Sequence, residues 1–329
     1  MEREPKTLQA AIELFSDPAK AREYAVRQRW PEGVRCPKCG SADVLFLERY
    51  NRWHCRAKHA SPQFTLKTGT VMEDSPVPLG KWLIAMWMLA NCRNGVSSYE
   101  IQRAVGVTQK SAWFMLHRIR LAMKLESAPG SMGSGSGGEV EVDETYVGPN
   151  PAKMQRKRRL ASRSADTMFI AKTTVQGILD RDARQVRATV VPNSKRETLQ
   201  AAVLAHVAKG SRVYTDEHVA YDRLAELEYI HGVVNHMLGY VSGRVHTNGL
   251  ENFWSLFKRM LRGTYVAVEP FHLERYADEQ AFRYNHRKIG ERKLTEAERF
   301  NAVLGTVAGK RLTYKDVTGK EGETAEAAF

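Results

Sequence analysis

The sequence predicts a multidomain chain of α+β and α/β character: a small cysteine–histidine ribbon, a helical region, and a larger mixed-sheet domain. Three observations predict it. Three of the four cysteines fall within residues 31–75, among aromatic and β-prone residues. The tract SAPGSMGSGSGG, residues 127–138, has almost nothing with which to bury a core and reads as a linker. Beyond it, helical spacing of apolar residues gives way to strand alternation.

The 329 residues suffice for two or three domains, and a composition of 43% hydrophobic and 26% charged residues excludes wholesale disorder. Lysine and arginine number 50 against 37 acids, a net charge of +13. Such a surplus predicts a polyanionic partner, because each phosphate contact releases a condensed counterion. The longest apolar run, Trp82 to Ala90, suits a buried helix and is too short to span a bilayer, so no membrane partner is expected. The opening MEREPKTLQA is charged, with no apolar secretion core behind it. Four cysteines are too few for a disulfide framework in a chain of this size. The expected setting is a reducing cytoplasm.

Residues 1–30 form a helical segment, with Leu8, Ile12 and Phe15 at helical spacing and Asp17-Pro18 as a breaker. Residues 31–75 form the ribbon. Its first half is the knuckle Cys36-Pro37-Lys38-Cys39-Gly40, and its second is Cys55 followed by His59. Two such pairs at this separation predict a tetrahedral zinc site, structural because four protein ligands leave no open position. Cys55-x3-His59 is a less usual second half than CxxC. His54 is a poor alternative, pointing away from its neighbour Cys55. Cys92, in a helical stretch, reads as a small buried residue.

Residues 76–126 read as helices ending in a helix-turn-helix. Ser97 or Ser98 caps a first helix carrying Ile101 and Val105; Gly106-Val107-Thr108 turns; Thr108 or Gln109 opens the second. Trp113, Leu116, Ile119 and Met123 give its apolar face. Lys110, His117, Arg118 and Arg120 are expected on other faces, within reach of phosphates or base edges. The same pattern also fits an ordinary two-helix hairpin.

After the linker, residues 139–290 form the large domain and residues 291–329 a C-terminal extension. Glu139 to Val147 alternates as a strand. Two more strands fit Ala171 to Leu179 and Gln185 to Val191. A helix follows from Ser194, with Glu197 completing a capping box, and stops at Gly210. A short strand, Arg212 to Thr215, leads into Asp216. Further helices cover about 247–262 and 271–287. Three strands in succession make a meander, and the later alternation calls for a crossover helix beside a parallel strand. That order is the order of a ribonuclease-H-like domain.

Within it, three acids stand on separate elements: Asp143 inside the first strand, Asp216 at the end of a short one, and Glu251 on a helix. Oxygen ligands converging from separate elements are what Mg²⁺-dependent phosphodiester chemistry needs. On that helix Leu250, Phe253, Trp254, Phe257 and Leu261 form an apolar stripe, read as core. Asn248, Glu251, Ser255, Lys258 and Arg262 lie opposite, which puts Glu251 and Lys258 two turns apart on one side. Glu139, Glu141 and Glu144 compete with Asp143, and Glu217 competes with Asp216. Asn248 is a minor ligand or a helix cap, and its place near the helix start favours the cap. The basic run from Lys153 to Arg163, including Arg156, Lys157, Arg158 and Arg159, suits a DNA clamp or a solvated charge run equally well.

The knuckle at Cys36, the run TGTVMEDSPVPLGKW from Thr68, and GEVEVDETYVG from Gly138 together resemble the ISXO-type insertion-sequence transposases of bacteria. YTDEHVAYDRL from Tyr214, VHTNGLENFWSLFKRM from Val245 and HLERYADEQAFRYNHR from His272 extend the likeness, as does GKRLTYKDV near the end. It covers roughly residues 10–317. The resemblance implies a zinc ribbon, a DNA-binding helical region and a DDE catalytic domain. By position, Asp143 and Asp216 become the metal-holding aspartates and Glu251 the third acid, while Asn248 and Lys258 match the asparagine and lysine that accompany it. Two Mg²⁺ or Mn²⁺ ions, Zn²⁺, and double-stranded DNA are the implied cofactors and partner. The DNA comprises the terminal inverted repeats and the target, and Arg259 and Arg262 join Lys258 as contacts. Bringing two ends together implies at least a homodimer, working in the bacterial cytoplasm at the nucleoid. A DNA-binding repressor that kept the fold, and a nuclease that cuts without joining, are the rival readings. The departures from the family pattern are the Cys55-x3-His59 half of the ribbon and a long linker.

Overall fold

A computed structural model describes residues 4–126, 130–134, 137–148, 172–234 and 245–319. The chain divides into two compact units, one of residues 1–124, 263–265 and 286–329, the other of residues 125–262 and 266–285. Among the described residues no helix is long and apolar enough to cross a membrane.

The first unit begins with α1 (Leu8–Ser16) and α2 (Pro18–Arg29). Asp17-Pro18 ends one helix and starts the next: Asp17 Oδ1 accepts from Ala19 N at 2.8 Å, and proline needs no donor in a first turn. The ribbon is an antiparallel sheet of β1 (Val44–Leu47), β2 (Arg52–Cys55) and β3 (Gln63–Phe64), in that order. Its small apolar centre is aromatic, with Trp53 stacked on Phe64 at 5.8 Å. The apolar run read from the sequence is α3 (Leu79–Asn91), in which Trp82, Leu83, Met86 and Trp87 are buried. α1 crosses it at Gly80, where a Cβ would stand 2.0 Å from the Phe15 carbonyl oxygen.

α4 (Ser98–Val105) opens on a capping box between Ser97 and Glu100, and Gly106 closes it in the left-handed region at φ 61°. α5 (Gln109–Met123) is capped by Thr108. The two-helix pattern read from the sequence is thus present, with the same turn.

The second unit is built on a five-stranded mixed sheet. Its strands are β4 (Glu139–Val147), β5 (Thr173–Asp180), β6 (Gln185–Val191), β7 (Arg212–Thr215) and β8 (Ile230–Val233), ordered β6-β5-β4-β7-β8. β4, β5 and β6 form the antiparallel meander, while β7 runs parallel to β4 and β8 parallel to β7. This is the ribonuclease-H-like arrangement. The crossover helix α6 (Arg196–His206) covers one face, packing Leu199 and Val203 among Val140, Val142, Ile178 and Val213. Its N-cap is Lys195, without a side-chain bond, so the Ser194–Glu197 box is not formed. Asn193 Oδ1 instead accepts from Lys195 N and Thr198 Oγ1.

α7 (Asn248–Met260) covers the opposite face, and α8 (Leu273–Asn285) lies along β6. Asn285 pairs its amide with both backbone groups of Val186, at 2.7 and 3.0 Å. Part of the glycine–serine tract docks here too. Met132 is buried, its N donates to His206 O, and Gly133 N donates to Asp180 Oδ2. Glycine is required at 133, where a Cβ would come 2.6 Å from Ser211 Oγ.

The chain after α8 returns to the first unit. β9 (Lys288–Ile289) and β10 (Arg292–Lys293) form a two-stranded ribbon, followed by α9 (Glu296–Gly305) and α10 (Tyr314–Thr318). Phe300 of α9 packs at 5.3 Å from Trp87 and 5.5 Å from Phe15.

Candidate functional site

In the first unit, Cys36, Cys39, Cys55 and His59 bring their donor atoms within 4.8 Å of one another. Cys36 Sγ lies 3.6 Å from His59 Nε2, and Cys39 Sγ lies 3.6 Å from Cys55 Sγ. The edge of a tetrahedron with Zn–S bonds of about 2.3 Å is about 3.8 Å, close to both separations, so the four donors suit one zinc ion. Burial works against ionising Cys36, yet the amides of Lys38 and Cys39 and the neighbouring thiols outweigh it and lower its pKa. Gly40, at φ 75°, closes the turn that aims those amides. His59 is the fourth donor.

The basic residues singled out on this helix pair divide. Lys110 is exposed at the start of α5, its Nζ 4.6 Å from the Tyr314 ring centroid. His117, Arg118 and Arg120, expected on outward faces, are buried at 0, 5 and 1% exposure. The reason is that α5 packs against α3, α4, α9 and α10, so little of its surface beyond the first turns is free. Arg118 donates to Glu73 O and lies over Phe114, and Arg120 lies over Tyr265. A guanidinium enclosed in this way is not available to a phosphate.

In the second unit, Asp143 and Asp216 come together through strand register. β4 and β7 are parallel, with Glu141 opposite Tyr214, and each aspartate lies two residues further on. Asp143 in β4 and Asp216, the first residue after β7, are thereby brought near enough for the Asp216 charge to act on Asp143, and both are half-buried. Asp143 Oδ1 accepts from Glu144 N at 2.8 Å and Oδ2 from the indole Nε1 of Trp254 at 2.9 Å. Burial, then the charges of Asp216 and Glu144, push its carboxyl up to about 7. Asp216 Oδ1 accepts from His218 N at 3.1 Å.

The competing acids of β4 are otherwise engaged. Glu139 and Glu141 are buried and paired with Arg181. Glu144 accepts from the Tyr221 hydroxyl at 2.9 Å and lies 3.5 Å from His218 Nε2. Burial raises its pKa, against the opposing effect of His218. Glu217 is exposed.

Glu251 stands exposed in the first turn of α7, one turn before Trp254. Among the described residues the ribbon is the only group of three or more such donors gathered within 4.8 Å; Asp143, Asp216 and Glu251 are not that close. Three carboxylates repel one another unless a cation lies between them. Lys258 is half-buried on the same helix, and Arg259 and Arg262 are exposed. Thr247, not Asn248, occupies the N-cap, and Asn248 is an exposed first residue of the helix. Arg156, Lys157, Arg158 and Arg159 lie outside the described residues.

Sequence reasoning missed the second role of Trp254, which is both core and donor to Asp143. The signal was available, because a buried indole N–H needs an acceptor. It also missed the Glu144–Tyr221–His218 group and Arg181, for which spacing gives no cue.

Two family models match the chain: an ISXO2-like transposase domain over residues 136–285 and a transposase zinc-ribbon domain over residues 16–58. An uncharacterised protein in transposable element ISH50 of Halobacterium salinarum is 28% identical over 260 residues, 76% of this chain and 85% of that protein. An uncharacterised transposase-like protein of Haemophilus influenzae is 33% identical over 105 residues, 32% of this chain and 85% of the other. Among solved structures, a chain of a simian T-cell lymphotropic virus intasome complex with PP2A regulatory subunit B56 gamma matches at TM-score 0.29 and 12% identity, over 65% of this chain and 74% of that one. That likeness is too loose to bear on the fold.

Proposed function

This chain belongs to the ISXO2-like family of insertion-sequence transposases, and from that premise we propose that it cuts DNA at the ends of its own element and joins the freed 3′-hydroxyl to target DNA. The observation that supports this reading is the nearness of Asp143, in the middle of β4, to Asp216, the first residue after the parallel strand β7, with Asp143 pushed to about 7. Two neighbouring carboxylates, with no cation among the described residues whose charges move Asp143, suit a hard divalent ion. Asp143, Asp216 and Glu251 would hold two Mg²⁺ or Mn²⁺ ions, which supply charge neutralisation and Lewis acidity at the attacking and leaving oxygens.

The residues around them position and neutralise. Trp254 fixes the Asp143 carboxylate by its indole hydrogen bond. Lys258, two turns along α7 from Glu251, holds a phosphate, and Arg259 and Arg262 extend the contact along the backbone. First, water attacks phosphorus and the element's 3′-oxygen leaves. In joining, that hydroxyl attacks and the target's own 3′-oxygen leaves, so one phosphodiester replaces another and no outside energy source is consumed.

The ribbon with its structural zinc, and the exposed start of α5 at Lys110, would bind the terminal inverted repeats, with a homodimer or larger assembly uniting two ends. His117, Arg118 and Arg120 take no part in that contact. The test is a strand-transfer assay with Mg²⁺, a pre-cut end and a target plasmid. Joined product is expected. Cleavage without joining would make this a nuclease, and end binding with neither activity would make it a repressor.

A further inference from the structure

The buried charges on β4 include more than the proposed metal ligand. Glu141, 1% exposed, lies two residues before Asp143 on the same face of the strand. Its Oε1 accepts from Arg181 Nε at 2.8 Å, and its Oε2 accepts from the backbone N of Leu250 at 3.0 Å. Arg181, just after β5, also reaches Glu139 at 3.3 Å and donates to His246 O at 2.6 Å, with His246 Nδ1 2.8 Å from the same Nη2. The guanidinium lies 4.5 Å from the Tyr214 ring centroid. One side chain thus ties together β4, the end of β5, β7 and the segment that enters α7.

α7 needs this tie. Its N-cap, Thr247, makes no side-chain capping bond, so the Glu141 carboxylate stands in for the cap from a neighbouring strand. A carboxylate is also the favoured charge at that end of a helix. The approach is close enough to require glycine at 249, where a Cβ would lie 2.2 Å from Leu179 Cδ2 and 2.9 Å from Glu141 Oε2. An ion pair between buried Glu141 and partly buried Arg181 is a weak source of stability, so its use here is more readily sought in the geometry it fixes.

We propose that Glu141 and Arg181 are positioning residues that set the register of α7 against β4, and through it the place of Glu251 and Trp254 relative to Asp143. The inference rests on the reading of Glu251 as a metal-holding acid. Glu141 and Arg181 act through the helix, without touching DNA or metal.

The experiment compares wild type with Glu141→Gln and Arg181→Lys. Glu141→Gln keeps an oxygen for Leu250 N and loses the charge that holds Arg181. For each variant, end cleavage is measured against Mn²⁺ concentration, with end-binding affinity and melting temperature alongside. The half-saturating Mn²⁺ concentration is expected to rise about tenfold or more, as for other residues that orient ligands from behind. The rate at saturating Mn²⁺ should recover to near wild type, with end affinity unchanged. A folded variant with lowered melting temperature and an unchanged Mn²⁺ requirement would show a purely structural pair and overturn the proposal. Hydrogen exchange of wild type alone gives a second check. The Leu250 amide should be protected like the core amides of β4, and exchange at the rate of a frayed first turn would remove the cap and the inference with it. Wild type without metal-dependent cleavage, but with a protected Leu250 amide, would refute the transposase chemistry rather than the tie between β4 and α7.

Discussion

The indole N–H of Trp254 donates to Oδ2 of Asp143 at 2.9 Å, joining the apolar stripe of α7 to the acid at the middle of β4. The ring can reach because Gly177 lies directly opposite Asp143 on β5 and leaves the space open. Trp254→Phe keeps most of the buried volume and removes only the donor. A hydrogen bond to a charged group contributes about 1.5–3 kcal/mol, so cleavage should slow about tenfold to a hundredfold if the bond serves the reacting geometry. Melting temperature should change little by comparison. A phenylalanine variant cleaving at the wild-type rate would leave Trp254 as core alone.

Asp143 also predicts a pH dependence. Its carboxyl titrates near 3.8 when unfolded and at about 7 in the folded, metal-free protein, so the folded state holds the proton more tightly. That contribution to stability is complete below the unfolded value and is lost as pH rises toward 7. The melting temperature of wild type relative to Asp143→Asn should therefore fall between about pH 4 and pH 7 without divalent metal, since asparagine cannot titrate. Saturating Mg²⁺ competes with the proton and should flatten the difference at the upper end of that range. A difference independent of pH would show that Asp143 titrates normally.

Gly177→Ala tests the same contact from the other side. The added Cβ would stand 2.6 Å from Trp254 Cζ2 and 2.9 Å from Leu250 Cδ2, both in packed surroundings. Overpacking of this kind costs about 1–3 kcal/mol. Chemical denaturation should show that loss, and pairing the change with Trp254→Leu should recover part of it through coupling of neighbours. Additive losses would place the strain elsewhere.

These contacts mark where sequence reading stops. Local patterns give the strands at 139–147, 185–191 and 212–215, because alternation and bounding turns are local. The apolar stripe of α7 is equally legible: Leu250, Phe253, Trp254, Phe257 and Leu261 are all buried. β8 carries little sequence signal, since Ile230 to Val233 is short and lies at the sheet edge with both end residues exposed. The faces of α5 are not legible in the sequence, because a single stripe does not reveal how many neighbours a helix has. Four elements surround it, and they enclose His117, Arg118 and Arg120. The pairing of Asp143 with Asp216 depends on parallel register between strands far apart in sequence, which no local spacing encodes. Arg181 is the extreme case. It follows a strand end, in a turn that looks solvated, yet it reaches Glu141 on β4, His246 before α7 and the ring of Tyr214 on β7.

Removing one ribbon ligand should separate the two units. With Cys36→Ser the site retains Cys39, Cys55 and His59 but loses the thiol that the Lys38 and Cys39 amides favour as thiolate. A site that closes three short strands around a small aromatic centre has little other stability to draw on, because so small a core is marginal without its metal. Zinc content should fall from a full equivalent to a small fraction, and the ribbon should become sensitive to protease between β1 and β3. The sheet that carries Asp143 has its own buried core, in which Val140, Val142, Leu199 and Val213 take no part in the ribbon. Its thermal transition should therefore remain close to wild type while affinity for the element ends drops. Full zinc occupancy in the serine variant would mean that other residues hold the ion. Loss of both transitions together would mean that the two units fold as one.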